Sequence, residues 1–592
     1  MTSAEIREDL QQDEAFDLIV LGSGAAGLTA AITAALQGLK VVVLESQAEI
    51  GGTSARSSGT VWIPDNSLLR AEGITDDGPR AARYLSALVG NAGPEAPWRR
   101  FLQAGPLVLD ELMAKTDLTF KPFMSAADYR QDMPGAAAGG RALEPQAFDG
   151  RRLKSDFKRL ASPLRELMVF GGMMVTRSEA AQLLRADRSL SALILAARLT
   201  LRFALDRLNN KRGTRLVLGN ALIAALVKSC RDLGVAIHSD VEATRLLTDG
   251  GKVIGVSLRR NNETLSLLGH KGVVLAGGGF PASSEKRQQH LPSPTPPATP
   301  AAPGCLGTTL DLALSAGAAL GPSGKDNGLW FPSSFYKRAD GTTAVYPHIV
   351  LDRPKPGLIA VDRQGQRFAN EALSYHEFVR AMYAQTDKGG DAIPAWLIVD
   401  RAFIRKHGLG VIRPRTPSLR RYVASGYLLE ATTIAELATQ ADLPPEALKH
   451  TVSRFNEFAR QGRDDDFHKG ETIYERGNGD ADVSPNPCLG EITQGPFYAV
   501  AVWPTPLGTS RGLLTDENAR VLDTAGKPML GLYACGNDAQ SAFGGEYPGA
   551  GAQLGQALTF GWLAGLHAAD IPLEDVGEPP PEPLSSFHRQ QA

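Results

Sequence analysis

The sequence predicts an α/β protein in which a dinucleotide-binding domain is interrupted by a smaller α+β domain. Three observations predict it. The buried-strand pattern Phe16–Leu21 runs straight into Gly22-Ser23-Gly24-Ala25-Ala26-Gly27, then a helical apolar stretch, then a second strand ending at Glu45. A further strand and glycine-rich turn follow at Lys271–Gly279, and another strand ending in glycine lies far downstream at Gly526–Asp538. Between them, from about residue 325 to about 492, lies a segment of roughly 165 residues, the size of one domain.

Each part of the first motif has a physical task. Gly22 permits a tight turn, Gly24 lets a pyrophosphate approach the backbone, and Gly27 allows close helix–strand packing. The helix start favours phosphate charge. Glu45, 18 residues beyond Gly27, is placed to bind a ribose hydroxyl pair. A second Gly-Gly pair at Gly51-Gly52 stands where FAD proteins of the glutathione-reductase type need it, and Gly526–Asp538 resembles their second FAD motif. The fold class is therefore a Rossmann-type FAD-binding domain interrupted by an α+β catalytic domain. Cofactor contacts are expected from Gly22, Gly24, Ala25, Ala26, Gly27, Glu45, Ser46, Gly51, Gly52, Thr53, Ser54, Gly59, Ala276, Gly277, Gly278, Gly536, Asn537, Asp538, Ala552 and Gln553. No histidine or cysteine falls in Gly51–Ser54, so the FAD is expected to be non-covalent. No second GxGxxG unit for a nicotinamide appears.

The FAD domain is expected at 14–324 and 493–570, the catalytic domain at 325–492, and a Pro- and Glu-rich tail at 571–592. At 592 residues and net charge −2, the chain makes no electrostatic case for nucleic acid. Cys230, Cys305, Cys488 and Cys535 form no CxxC pair, and no metal site is expected. Met1–Ala15 lacks the apolar core of a signal peptide, and no run of 18 apolar residues suggests a spanning helix. A cytoplasmic protein is expected. Residues 151–215 alternate apolar runs with Arg185, Arg188, Arg198, Arg202, Arg207, Arg212 and Arg215. Two readings stay open for them: peripheral attachment to a membrane, or a helical insertion packed on the FAD domain with solvated arginines.

Gly544-Gly545-Glu546-Tyr547-Pro548-Gly549-Ala550-Gly551 carries a tyrosine four residues before a glycine, on a turn predicted to open a helix. A phenolic O–H and a free backbone N–H can converge there on one carbonyl oxygen, as an oxyanion hole requires.

Taken with Asp128-Tyr129, Met133-Pro134-Gly135, Gly140-Arg141, Asn370-Glu371…Tyr375, Pro496–Ala499 and Leu507-Gly508-Thr509, this segment resembles the 3-ketosteroid dehydrogenases of the fumarate reductase flavoprotein superfamily, the Δ1 enzymes most of all. The resemblance covers Phe16 to about Ala568 except 151–215. It implies a C1=C2 desaturation of a 3-ketosteroid, with Tyr375 as base, Tyr129 as its hydrogen-bond partner, Tyr547 and Gly551 on the C3 oxygen, and hydride passing to flavin N5. Tyr336 and Tyr346 stay open as alternative bases, and His376 is read as structural. A quinone or other electron acceptor is implied, because no haem or iron–sulfur motif is present. Alternative activities are a Δ4-(5α)-dehydrogenase and a fumarate reductase-like enzyme. Against the latter, the dicarboxylate clamp is missing, with only Arg511 left as an anion contact. An FAD-binding protein without activity is the alternative from a different class.

Overall fold

The computed structural model describes residues 10–75, 77–184, 187, 189–260, 263–295 and 298–573. The expected positions Arg185 and Arg188, and most of the tail, lie outside the described residues.

Strands Glu14–Leu21 and Val41–Leu44 run parallel, with Leu18 opposite Val41 and Leu21 opposite Leu44. Leu18–Leu21 and Val41–Leu44 are continuous apolar runs because helices cover the sheet there, so neither face meets water. Ala236–His238 extends the sheet beyond Val41–Leu44, and Glu263–Leu275 and Pro528–Ala534 extend it on the other side, all parallel. Arg520–Leu522 closes one edge, while Glu242–Asp249 and Lys252–Arg260 branch from Glu263–Leu275, giving eight strands.

Helices Ala25–Leu36 and Ala552–Ala568 lie against each other on one face. Small residues bring the backbones close: a Cβ on Gly561 would stand 2.5 Å from the Ala26 carbonyl oxygen, and one on Gly565 2.8 Å from that of Ala30. The two helices run parallel, with the start of Ala25–Leu36 beside Gly561, so the first turns of Ala552–Ala568 extend beyond it.

A second, six-stranded sheet orders Thr343–Pro347, Gly328–Lys337, Phe497–Thr509, Ala395–Asp400 and Leu358–Val361, with Leu429–Ala431 also on Phe497–Thr509. The segment expected to return to the FAD domain at residue 493 therefore first supplies the long central strand of this other sheet. Its apolar run Phe497–Val502 is buried between Ala395–Asp400 and Leu429–Ala431, and only after Thr509 does the chain rejoin the eight-stranded sheet. Helix Tyr375–Asp387 packs on Gly328–Lys337 and places its first residue at the junction of the two sheets.

Residues 151–215 form an excursion whose base is closed by a two-residue ladder, Phe148–Asp149 against Arg215–Leu216. It carries helices Arg177–Leu183 and Leu190–Asp206. Leu190–Asp206 buries only Ala192, Leu199 and Asp206, and leaves Leu190, Leu193, Ile194, Leu201 and Leu205 exposed. Its arginines are partly paired, Arg202 lying 3.8 Å from Asp149. No helix among the described residues is long and apolar enough to cross a membrane.

Candidate active site

The first glycine-rich turn is built by steric necessity. Gly22 holds φ +113°, and a Cβ there would fall 2.2 Å from the Ala276 carbonyl oxygen. Gly27 is equally closed, 2.1 Å from the Gly22 oxygen. Gly24 differs, since its added Cβ meets only Ser54 Oγ at 3.7 Å, leaving an open approach above the turn. Helix Ala25–Leu36 starts at Gly24 with no capping side chain, and its first turn holds no acid. Such a terminus presents N–H groups to an anion. The expected neighbours assemble around it: Ser54 Oγ accepts from the Ala25 N–H at 3.2 Å, and Gly51 donates to Ser23 Oγ at 2.9 Å. Glu45 accepts from the Ser23 N–H and O–H and from the Gln47 N–H, which fixes its carboxylate at the end of its strand. Ser46 Oγ bonds the same carboxylate, and Gly51, Gly52 and Gly59 all hold positive φ.

On the far side of the cleft, Asp538 is fully buried and its two oxygens accept from the N–H groups of Gly277 and Gly279, at 2.7 and 2.8 Å. Asp538 thus shapes the Ala276–Gly278 turn. Asn537 and Gln553 face each other at 3.4 Å, and Gln553 Nε2 donates to the Tyr547 hydroxyl at 3.2 Å. The charge-free helix terminus, the open space above Gly24 and the glycine-lined turns fit the pyrophosphate and ribityl chain of FAD. Cys305 is a neighbour that sequence reasoning missed, its Sγ 3.4 Å from Thr53 Oγ1. Burial pushes its thiol up to about 11.

Four tyrosines converge beyond this cradle. The Tyr129 hydroxyl donates to that of Tyr375 at 2.9 Å. The Tyr547 ring stacks on Tyr129 and meets Tyr375 edge-on, both at 5.5 Å between centroids. Tyr474, unremarked in the sequence, packs edge-on against Tyr129 at 5.1 Å, and Phe331 against Tyr375 at 4.7 Å. Motif spacing offered no signal for either residue, because both arrive from separate segments. Burial raises Tyr375 and Tyr129 well above the ordinary tyrosine range, and neighbouring phenols raise them further. Tyr547 is raised too, chiefly by burial, while hydrogen bonds oppose the shift.

Gly551 heads helix Ala552–Ala568 with φ +95°, and a Cβ there would stand 2.3 Å from the Thr60 carbonyl oxygen. Its carbonyl accepts from the N–H groups of Trp62 and Gly555. Among the described residues its own N–H meets no acceptor. The helix has no capping side chain, so this end carries unneutralised positive potential.

Behind Tyr129, Asp128 is held by Arg141, Trp62 Nε1 and the Ala137 N–H, and Arg141 reaches Asp77 as well. All three charged groups are buried. His376 is fully buried beside the Gly545 backbone, and its ring lies 5.6 Å from Tyr547. Burial holds it well below its ordinary value, hence neutral.

The alternative bases sit elsewhere. Tyr336 packs on Tyr422 and Tyr427, and Tyr346 on His348. Arg511, expected as an anion contact, donates to the Gly321 carbonyl at 3.0 Å and faces His290.

Residues 17–554 match the family of FAD-binding domains, so the cleft is that of a flavoprotein oxidoreductase. The chain is 35% identical to the 3-oxosteroid 1-dehydrogenase of Mycolicibacterium smegmatis, over 94% of its own length and 97% of the relative's. It is also 35% identical to the 4-oxocyclohex-2-ene-1-carboxylate 5-dehydrogenase of Sinomonas cyclohexanicum, covering 94% of each chain. The structure of the 3-ketosteroid Δ1-dehydrogenase of Sterolibacterium denitrificans in complex with 1,4-androstadiene-3,17-dione matches with TM-score 0.88 at 35% identity, over 94% of this chain and all of that one. The chain belongs to the FAD-dependent 3-oxosteroid 1-dehydrogenase family.

Proposed function

We propose that this enzyme introduces the C1=C2 double bond of 3-ketosteroids. The observation that carries the reading is the meeting of Tyr129, Tyr375 and Tyr547, with Gly551, whose N–H meets no acceptor among the described residues, four residues beyond Tyr547. FAD, when bound, supplies the acceptor for the hydride that leaves C1. The protein's part is to make the C2 proton acidic and remove it. Tyr547 O–H and Gly551 N–H donate to the C3 oxygen and stabilise the developing enolate, an effect of about 3 kcal/mol per donor. Tyr375, as tyrosinate, takes the C2 proton, and Tyr129 donates a hydrogen bond to its oxygen. The buried cluster excludes water that would compete for the enolate. A quinone or comparable carrier takes the electrons onward.

The test is anaerobic bleaching of the flavin by 4-androstene-3,17-dione, run beside 5α-androstane-3,17-dione, 4-oxocyclohex-2-ene-1-carboxylate and succinate. Rapid bleaching by the first, with a 1,4-diene-3-one product, is expected. Bleaching by the saturated steroid to give a 4-ene-3-one would instead establish Δ4-(5α) activity. Bleaching by the small keto acid alone would assign this chain to monocyclic ketones, a second reading favoured by the likeness to the Sinomonas enzyme.

We also propose that helix Leu190–Asp206 attaches the enzyme to a lipid surface. Leu190, Leu193, Ile194, Leu201 and Leu205 recur at helical spacing on an exposed face, Leu208 continues it, and Arg198 and Arg202 lie among them. An apolar face flanked by cations matches an anionic bilayer interface. Sedimentation with anionic vesicles should fall as salt rises and vanish when Leu193, Ile194 and Leu201 become serine. Equal recovery in the supernatant with and without vesicles would remove the proposal.

A further inference from the structure

The excursion 151–215 also reaches the chemistry. Arg177 begins helix Arg177–Leu183, after a Thr176 and Glu179 capping box that fixes the turn. Its Nη2 donates to Asn478 Oδ1 at 2.8 Å, and Asn478 Nδ2 donates to the Tyr474 carbonyl at 2.9 Å. Arg177 is thereby tied through Asn478 to the backbone of Tyr474, whose ring packs on Tyr129, whose hydroxyl bonds that of Tyr375.

The charges around this chain of phenols do not cancel. Asp128, next to Tyr129, is neutralised by Arg141, which also pairs with Asp77. Arg380 pairs with Asp326 and Glu546, and Arg130 with Asp132 and Glu377. Glu144, the carboxylate facing Arg177, is itself paired with Lys121 at 3.1 Å. Glu475, on the helix of Tyr474, is raised by burial and so carries its charge less readily. Two cations then remain toward Tyr474, Arg353 and Arg177. Arg353 donates to the carbonyls of His348, Ile349, Glu371 and Leu373, and the carboxylates of Asp352 and Glu371 face it, so its field is partly opposed and Arg177 matters the more. Lys355, also near Arg177, donates to the carbonyls of Asn478 and Gly479.

We infer that Arg177 is a positioning residue for the base: its guanidinium, tied through Asn478 to the Tyr474 backbone, biases the Tyr474–Tyr129–Tyr375 set toward its deprotonated form. Burial alone opposes a tyrosinate there, and a formal positive charge in a medium poorer in water than bulk offsets that opposition. The cation comes from the segment that carries no family signature, so the excursion supplies electrostatics as well as surface. This rests on the reading of Tyr375 as base.

Arg177→Gln should lower turnover about tenfold near pH 7, with the loss regained as pH rises, because more alkali is then needed to form the tyrosinate. Arg177→Lys should restore the wild-type pH profile, and a purely structural arginine would show neither the alkaline displacement nor the rescue. Should Arg177→Gln lose its flavin, Asn478→Asp serves instead: a carboxylate on the guanidinium cancels its field in place and should give the same displacement. An unchanged profile in whichever variant retains FAD overturns the inference. Ultraviolet titration of tyrosinate in the substrate-free holoenzyme separates the two readings. It should show the displacement even if no 3-ketosteroid is ever turned over, whereas inactivity toward steroids with a displaced titration would sink only the substrate assignment.

Discussion

The N–H of Tyr129 donates to the carbonyl oxygen of Pro548 at 3.0 Å. The Tyr84 hydroxyl donates to the same oxygen at 2.7 Å. Two segments far apart in sequence are thus locked at the residue that follows Tyr547, and the phenols of Tyr129 and Tyr547 stack as a consequence. A side chain on Gly549 would collide with Trp62 at 2.6 Å, so the loop approaches this frame as closely as it can.

That frame rests on Asp128, and its removal should be costly. Asp128→Ala leaves the buried Arg141 with Asp77 as its one carboxylate and strands the Trp62 and Ala137 N–H groups. Breaking a buried pair this way costs about 3–5 kcal/mol. Denaturant unfolding of the holoenzyme should register that loss, with Asp128→Asn intermediate because its amide oxygen still accepts from Trp62.

Tyr547→Phe removes one of two donors to the C3 oxygen and should reduce turnover on the order of 10²–10³-fold, leaving the Gly551 N–H to sustain a slow rate. Tyr375→Phe should abolish exchange of the C2 hydrogens of a 3-ketosteroid in heavy water, with the flavin replaced by an analogue that accepts no hydride. Tyr129→Phe should exchange still. Wild-type exchange by Tyr375→Phe would move the base to another residue.

The pH dependence has a definite sign. Burial raises Tyr375 and Tyr129, so both are protonated near neutrality, while the form that accepts the C2 proton is deprotonated. Turnover under saturating steroid should therefore climb with pH and continue to climb toward about pH 10. A profile that plateaus at pH 6 would argue for a carboxylate base.

Gly22 and Gly24 should fail differently. Gly22→Ala places a side chain in the Ala276 carbonyl at a left-handed φ and should prevent folding. Gly24→Val has room and should give a folded, colourless protein, since the branched side chain fills the open space above the turn. In the wild type, flavin should leave the polypeptide on acid precipitation, because Gly51–Ser54 offers no histidine or cysteine for a covalent link.

Glu371 links the active-site segment to stability. Burial opposes its ionisation, but Arg367 and Lys469 outweigh that and hold it at about 2. A depressed carboxylate contributes stability above its unfolded value near 4.3, and that contribution disappears as pH falls from there toward 2. Glu371→Gln should be less stable than wild type at pH 7, with the gap narrowing across that acid window in unfolding measurements.

The sequence by itself determined the parallel core, the Gly22–Gly27 turn and the place of Glu45, because each depends on local requirements: strand patterning, a forbidden Cβ, a helix start. Tyr129 and Tyr375 enter through the family resemblance, not through any local requirement. It also determined that Tyr547 and Gly551 share a turn, since four residues separate them. What only the tertiary structure decided depends on contacts between distant segments. Phe497–Thr509 reads as strand in either sheet, and its pairing with Ala395–Asp400 made it the centre of the second one. Asp538 reads as a ligand residue, yet the Gly277 and Gly279 amides claim its carboxylate. Tyr474, Phe331 and Arg177 carry no motif at all. They reach the tyrosines because packing brings three remote stretches of chain together, and no periodicity along one stretch encodes a charge delivered from another.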